Sequence, residues 1–153
     1  MDFATVCLAI VLAPLAAAAV AGLGGRFVGR VGAHTLCIAG VALSFAGSAW
    51  VLAQMLGGAP VFNQNVYTWG VSDGLSMNIG FLIDSLSALM MTVVTFVSLA
   101  VHVYTIGYMR DDPGYTRFFA YISLFTFAML MLVMSNNFLQ LFFGWEAVGL
   151  VSY

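Results

Sequence analysis

Long apolar runs separated by short polar stretches set the plan of this chain. The first run, Phe3 to Leu23, carries no charge. The second extends from about Val31 to Leu56, the third from Phe81 to Met109 and the fourth from Phe118 to Met134. A fifth begins at Asn137 and continues to Tyr153. A helix rises ~1.5 Å per residue and a hydrocarbon core is ~30 Å thick, so ~20 apolar residues cross it. The pattern predicts about five transmembrane helices. Between the second and third runs, Gly57 to Gly80 is of another kind. Val66-Tyr67-Thr68-Trp69 is strand-like, and Asp73-Gly74 is a tight-turn signal. The expected fold is an all-α, polytopic helical membrane protein with a short β-hairpin-like surface loop between helices 2 and 3. Its parts are a helix pair over residues 1–58, the hairpin over 59–80, and a helical unit from 81 to 153. Tyr67 and Trp69 suit an interfacial aromatic belt.

The breaks carry the polar chemistry. Gly24 to Gly32 reads as a short polar connection holding Arg26 and Arg30, and Arg110 to Arg117 as a loop turning at Pro113-Gly114. Ser135-Asn136-Asn137 reads as a tight turn. Counted alternately, both arginine-bearing loops fall on one side of the membrane. The positive-inside rule puts them in the cytoplasm or its equivalent and leaves the N-terminus and the hairpin outside. A cysteine at Asp73 would then be labelled by an impermeant reagent and one at Arg30 would not. Within the runs, Pro14 is a candidate kink, and Gly40, Ser44, Gly47 and Ser48 mark a helix-packing face. His34 reads as an interfacial residue. The first run is not a signal peptide by its flank, because Asp2 is acidic and no Lys or Arg precedes it.

Composition narrows the class further. Hydrophobic residues make up 63% of the 153 positions and charged residues 7%, against roughly 25% charged in a soluble domain. A soluble globule is excluded. So is nucleic-acid binding, because the basic residues are four arginines with no lysine and no patch. Cys7 and Cys37 lie inside apolar runs and read as small buried hydrophobes. No Cys or His spacing suits a metal or haem. Gly22-Leu23-Gly24-Gly25 does not follow a strand, so it does not signal a nucleotide loop.

Two features remain as candidate chemistry. Along the third run, Asp84, Ser87, Thr95, Ser98, His102 and Thr105 fall within an arc of roughly 80°, while Ser85 and Thr92 fall outside it. Such a stripe serves either helix packing or a hydrated path. His102 lies deep enough to bind a proton near neutral pH, or to act as a hydrogen-bonded packing residue. The second feature is Glu146, ~13 Å along a helix that starts near Asn137. A charge at that depth costs at least ~3 kcal/mol, and such residues usually face a protein interior or a water-filled path. Pairing with an arginine or hydroxyl of another helix is the purely structural alternative.

Four segments occur together in order: Phe81-Leu-Ile-Asp-Ser-Leu-Ser-Ala-Leu-Met90, His102-Val-Tyr-Thr-Ile-Gly-Tyr-Met109, Gly114-Tyr-Thr-Arg-Phe-Phe-Ala-Tyr121, and Asn137 through Gly144-Trp-Glu-Ala-Val-Gly-Leu-Val-Ser-Tyr153. From about residue 60 onward the chain resembles chain 5 (subunit L) of respiratory complex I, the proton-pumping NADH-quinone oxidoreductase. The resemblance implies that Glu146 is a protonatable group of a pump, working opposite a lysine on a later helix. His102, Asp84, Ser98 and Thr95 are the candidate proton path. It also implies that the chain is an N-terminal fragment, with residues 81–153 the start of an antiporter-like proton-translocating domain. The partners implied are the other membrane-arm subunits, especially an adjacent antiporter-like subunit, and the lipid bilayer. NADH, FMN, iron–sulfur clusters and quinone would belong to the complex, with no cofactor in this chain. A subunit of an Mrp-type Na⁺/H⁺ antiporter and an inactive membrane fragment are the competing readings. Abundant Ala and Gly with no lysine fit a bacterial plasma membrane rather than a mitochondrial inner membrane.

Overall fold

The computed structural model describes residues 3–72 and 75–153. The element order is α1 (Phe3–Leu23), α2 (Gly25–Leu56), β1 (Phe62–Ser72), β2 (Leu75–Ile83), α3 (Ser85–Tyr108), α4 (Tyr115–Val133) and α5 (Phe138–Ser152). Four helices, α1 to α4, are long and apolar enough to cross a membrane, and α5 is a shorter apolar helix of 15 residues. The chain is thus a multi-pass helical membrane protein with one antiparallel hairpin between the second and third helices.

The helices differ from the sequence pattern mainly at their ends. Gly24 to Gly32 is not a polar connection. A break at Gly24 is followed at once by α2, which starts at Gly25 and holds Arg30 within it. Gly29 has φ of +67° inside that helix, a backbone state that glycine adopts without the Cβ clash of other residues. The kink there aims Arg30 across the bundle. Its Nη1 donates to the Arg110 carbonyl at 2.6 Å and its Nη2 to the Asp112 carbonyl at 2.9 Å. Both arginine-bearing segments therefore lie at one end of the bundle. Helix α1 continues through Pro14. Phe81 to Ile83 belong to β2, so α3 begins at Ser85, with Asp84 as its N-cap.

The hairpin stands at the other end. Its strands pair from Phe62–Ile83 to Ser72–Leu75, with irregularities around Val66 and Trp69. The expected Asp73-Gly74 turn lies outside the described residues. The root of the hairpin is anchored: the Leu82 N–H donates to the Met134 carbonyl at 2.9 Å, and Phe81 and Ile83 are buried with Cys7, Ile10, Val51, Met55 and Met134. Farther out, Tyr67 and Trp69 are exposed.

Packing follows the small-residue face of α2. Ser44 Oγ donates to the Ile10 carbonyl at 2.6 Å, and Gly40 lies directly against Ala13 and Ala17 of α1. The interior is layered along the bundle axis. An apolar cluster fills the hairpin end, and a second fills the arginine end with Ala17, Ala33, Cys37, Tyr115 and Phe119. Between them along each helix come the buried polar side chains: Ser44 and Ser48 of α2, Thr95 and His102 of α3, and Ser123 and Thr126 of α4. Each apolar cluster seals one end of this polar middle from water.

Candidate functional site

His102 is the centre of the polar layer. Its side chain is fully buried between α3 and α4. Nδ1 lies 2.8 Å from the carbonyl of Ser98, one helical turn earlier, and Nε2 lies 2.9 Å from Ser123 Oγ. A carbonyl only accepts, so Nδ1 carries the proton of the neutral ring and Nε2 accepts from the Ser123 hydroxyl. Ser98 Oγ, 3.3 Å from Nδ1, also bonds Thr126 Oγ1. Thr126 gives its own proton to the Ile122 carbonyl at 2.8 Å, so the Ser98 hydroxyl donates to it. On the other flank, the Cys37 thiol donates to the Ala17 carbonyl at 3.9 Å.

The result is a directed chain. Ser123 donates to His102 Nε2, and His102 Nδ1–H donates mainly to the Ser98 backbone carbonyl, with the Ser98 hydroxyl as its longer second contact; that hydroxyl donates to Thr126, and Thr126 to the Ile122 carbonyl. Protonation at Nε2 turns that nitrogen into a donor and obliges the Ser123 hydroxyl to reverse. A chain whose links reorient when one group gains a proton is a means of passing protons through a region without bulk water. Beside it, a groove between α3 and α4, lined by Val97, Ser98, His102, Phe125 and Thr126, opens towards the outside of the bundle.

The other expected residues are placed differently. Thr95 is buried one turn from Ser98, with its hydroxyl bonded to its own helix at the Met91 carbonyl, 2.7 Å away. Asp84 lies eighteen residues before His102, ~27 Å along the helix. Its carboxylate accepts the Ser87 N–H at 2.7 Å. That bond, ahead of the others, holds the Asp84 carboxyl below its ordinary pKa. Ser123, Thr126 and Cys37 were not among the expected residues. Ser123 and Thr126, three apart in a helix otherwise rich in Phe and Met, were the signal for two of them.

Glu146 stands apart from this chain. Helix α5 is fixed by Asn137, whose side chain accepts the Gln140 N–H at 2.8 Å, and by buried Gln140, whose Oε1 accepts the Gly80 N–H of β2 at 2.9 Å. Gly144 is buried against Leu132 of α4. Two residues on, at ~100° each, Glu146 points ~200° away from that contact. It is exposed, and among the described residues no hydrogen bond engages its carboxylate. Its depth is nevertheless that of the polar layer. It lies ~12 Å along α5 from the hairpin end, while Thr126 lies ~10 Å along α4 from the same end.

Comparison with known proteins supplies a context. Residues 69–119 match the family described as NADH-Ubiquinone oxidoreductase (complex I), chain 5 N-terminus. Over its whole length the chain is 61% identical to NADH-quinone oxidoreductase subunit L of Neisseria meningitidis serogroup A, covering 23% of that protein. Over 95% of its length it is 45% identical to NADH-ubiquinone oxidoreductase chain 5 of Arabidopsis thaliana, covering 22% of it. It thus spans less than a quarter of the length of the curated relatives it matches. The fold is similar to a chain of a membrane-bound sulfane sulfur reductase, an archaeal respiratory membrane complex. The TM-score there is 0.71 over 94% of this chain and 21% of the other, at 17% identity.

Proposed function

We propose, for a chain that belongs to the family of NADH-quinone oxidoreductase subunit L and NADH-ubiquinone oxidoreductase chain 5, that it forms part of a proton-translocating membrane-arm subunit. The enzyme would be the assembled complex, which couples electron transfer from NADH to quinone to proton movement. FMN, iron–sulfur clusters and quinone would be held by other subunits. This chain would contribute the start of the antiporter-like domain over residues 81–153 and would pack beside an adjacent antiporter-like subunit. Its home would be a bacterial plasma membrane, with the N-terminus and hairpin outside.

The observation that carries this reading is the buried, directed hydrogen-bond chain through His102 at mid-depth. A packing role for His102 needs one satisfied nitrogen at each end. It does not need hydroxyls aligned over two helices in one direction. In the proposed path His102, Ser98 and Thr95 form the stripe towards Asp84, which marks where the stripe meets the hairpin-side surface. Glu146, at the same depth, acts as proton acceptor and donor for helices of the full-length protein that pack on the exposed face of α5. A carboxylate at that depth is costly unless such a neighbour or water meets it.

Glu146→Gln in the full-length protein, within the assembled complex, tests the reading. The expected result is several-fold weaker NADH-driven proton uptake into inverted vesicles at unchanged assembly and NADH oxidation. Wild-type proton uptake per NADH would overturn it.

A further inference from the structure

The chain through His102 reaches Ser123 on the arginine side, where Phe119 is part of the apolar cluster that fills that end of the bundle. Phe119 is fully buried. Its ring centroid lies 5.9 Å from that of His102 and 6.1 Å from that of His34. Two imidazoles, one buried and one half-buried, thus lie against the same phenyl ring. His34 is half-buried on α2, and its Nδ1 lies 3.0 Å from the Tyr115 hydroxyl. Tyr115 is itself held in place: its ring packs on Phe119 at 4.9 Å, and the Arg30 guanidinium lies 5.5 Å from its centroid. Arg30, in turn, is fixed by the carbonyls of Arg110 and Asp112.

We propose that His34 is the proton-loading residue on the arginine-bearing side of this path, and that Phe119 is the gate between it and His102. The inference rests on the reading of the His102 chain as a proton path. His34 takes a proton from water at the arginine-bearing surface and becomes an imidazolium, with Nδ1–H donating to the Tyr115 oxygen. When the Phe119 ring turns aside, the imidazolium releases the proton through intervening water to His102 Nε2. The Ser123 hydroxyl then reverses, and His34 returns to the neutral form. One proton has left His34 and one has arrived on His102. The groups facing His34 are Tyr115 and Phe119 of α4, with Arg30 against the Tyr115 ring, Cys37 about one turn further along α2 and His102 beyond the gate.

Purely structural use of His34 would need only a partner for the Tyr115 hydroxyl. Glutamine supplies that partner but does not load a proton near neutral pH. The test is therefore His34→Gln beside His102→Gln and Glu146→Gln, each in the full-length protein in its assembled complex, read as proton uptake per NADH in inverted vesicles. We expect His34→Gln to lower proton uptake as strongly as Glu146→Gln does, with NADH oxidation retained. A His34→Gly variant, which opens a space reachable from the surface, should regain proton uptake on addition of imidazole. If His34→Gln pumps normally while His102→Gln does not, the role of His34 is overturned and the His102 path stands. If both pump normally, the His102 path falls and takes this inference with it. Failure of imidazole to restore the His34→Gly variant also overturns proton loading at this position.

Discussion

Asp84 and His102 fall on one stripe in the pattern of polar positions, yet Asp84 caps α3 and His102 lies within it. The Asp84 carboxylate satisfies the Ser87 N–H, one of the donors that the first turn of a helix leaves without a partner. Asp84→Ala should lower stability by about 1 kcal/mol, and Asp84→Ser should restore most of it, measured by thermal unfolding in detergent. The same bond sets a pH dependence. It holds the folded carboxyl below its unfolded pKa, so its contribution is present above the unfolded value and is lost as pH falls through the folded one. The Asp84→Ala protein should therefore lose less stability than the wild type on acidification. The pattern of polar positions placed both residues on the stripe. Capping is readable from Asp84-Ser85-Leu86-Ser87 once the helix start is known, and that start was obscured because Phe81 to Ile83 are as apolar in a strand as in a helix.

At the scale of elements, close approach of α1 and α2 depends on missing side chains. A Cβ at Gly40 would lie 2.9 Å from the Ala13 carbonyl oxygen and 2.9 Å from Ala17 Cβ, distances that force the helices apart. Gly40→Ala should destabilise the pair by ~1–3 kcal/mol through overpacking. Gly107→Ala, where nothing lies within 4 Å, should be neutral or slightly stabilising. Comparison of the two unfolding temperatures checks the packing directly. A larger effect at Gly107 than at Gly40 would contradict this interface. Helix α5 illustrates the converse case. Its buried contacts, Gln140 and Gly144, lie on one side, and that choice of side is what turns Glu146 outward.

For the whole molecule, charge and shape agree on an axis. Arg30 touches the loop that carries Arg110, while Phe3 stacks against Phe62 of the hairpin at 4.8 Å. The N-terminal end of α1 and the hairpin thus occupy one end of the bundle and the arginine loops the other. If the positive-inside rule holds, Thr68→Cys should react with an impermeant thiol reagent added to intact cells, and Arg117→Cys should react only after permeabilisation. Both positions are exposed. The reverse pattern would invert the orientation.

By itself the sequence determined the spans, the hairpin between the second and third helices, and the shared end of the arginines. Lipid allows no unpaired backbone, so any apolar run long enough to cross must be a helix, and the runs are visible as composition. It also marked His102 and Glu146 as anomalies, because polar groups at such depth are costly. Only the tertiary structure decided what those anomalies meet. A helical period tells which residues share a face, not which face turns to which neighbour. Ser123 lies twenty-one residues from His102 and becomes its partner only when α4 folds back along α3. His34 and Phe119 come together across α2 and α4 for the same reason. Glu146 is carried away from them because Gly144, two residues earlier, is the position that lets α5 pack against α4.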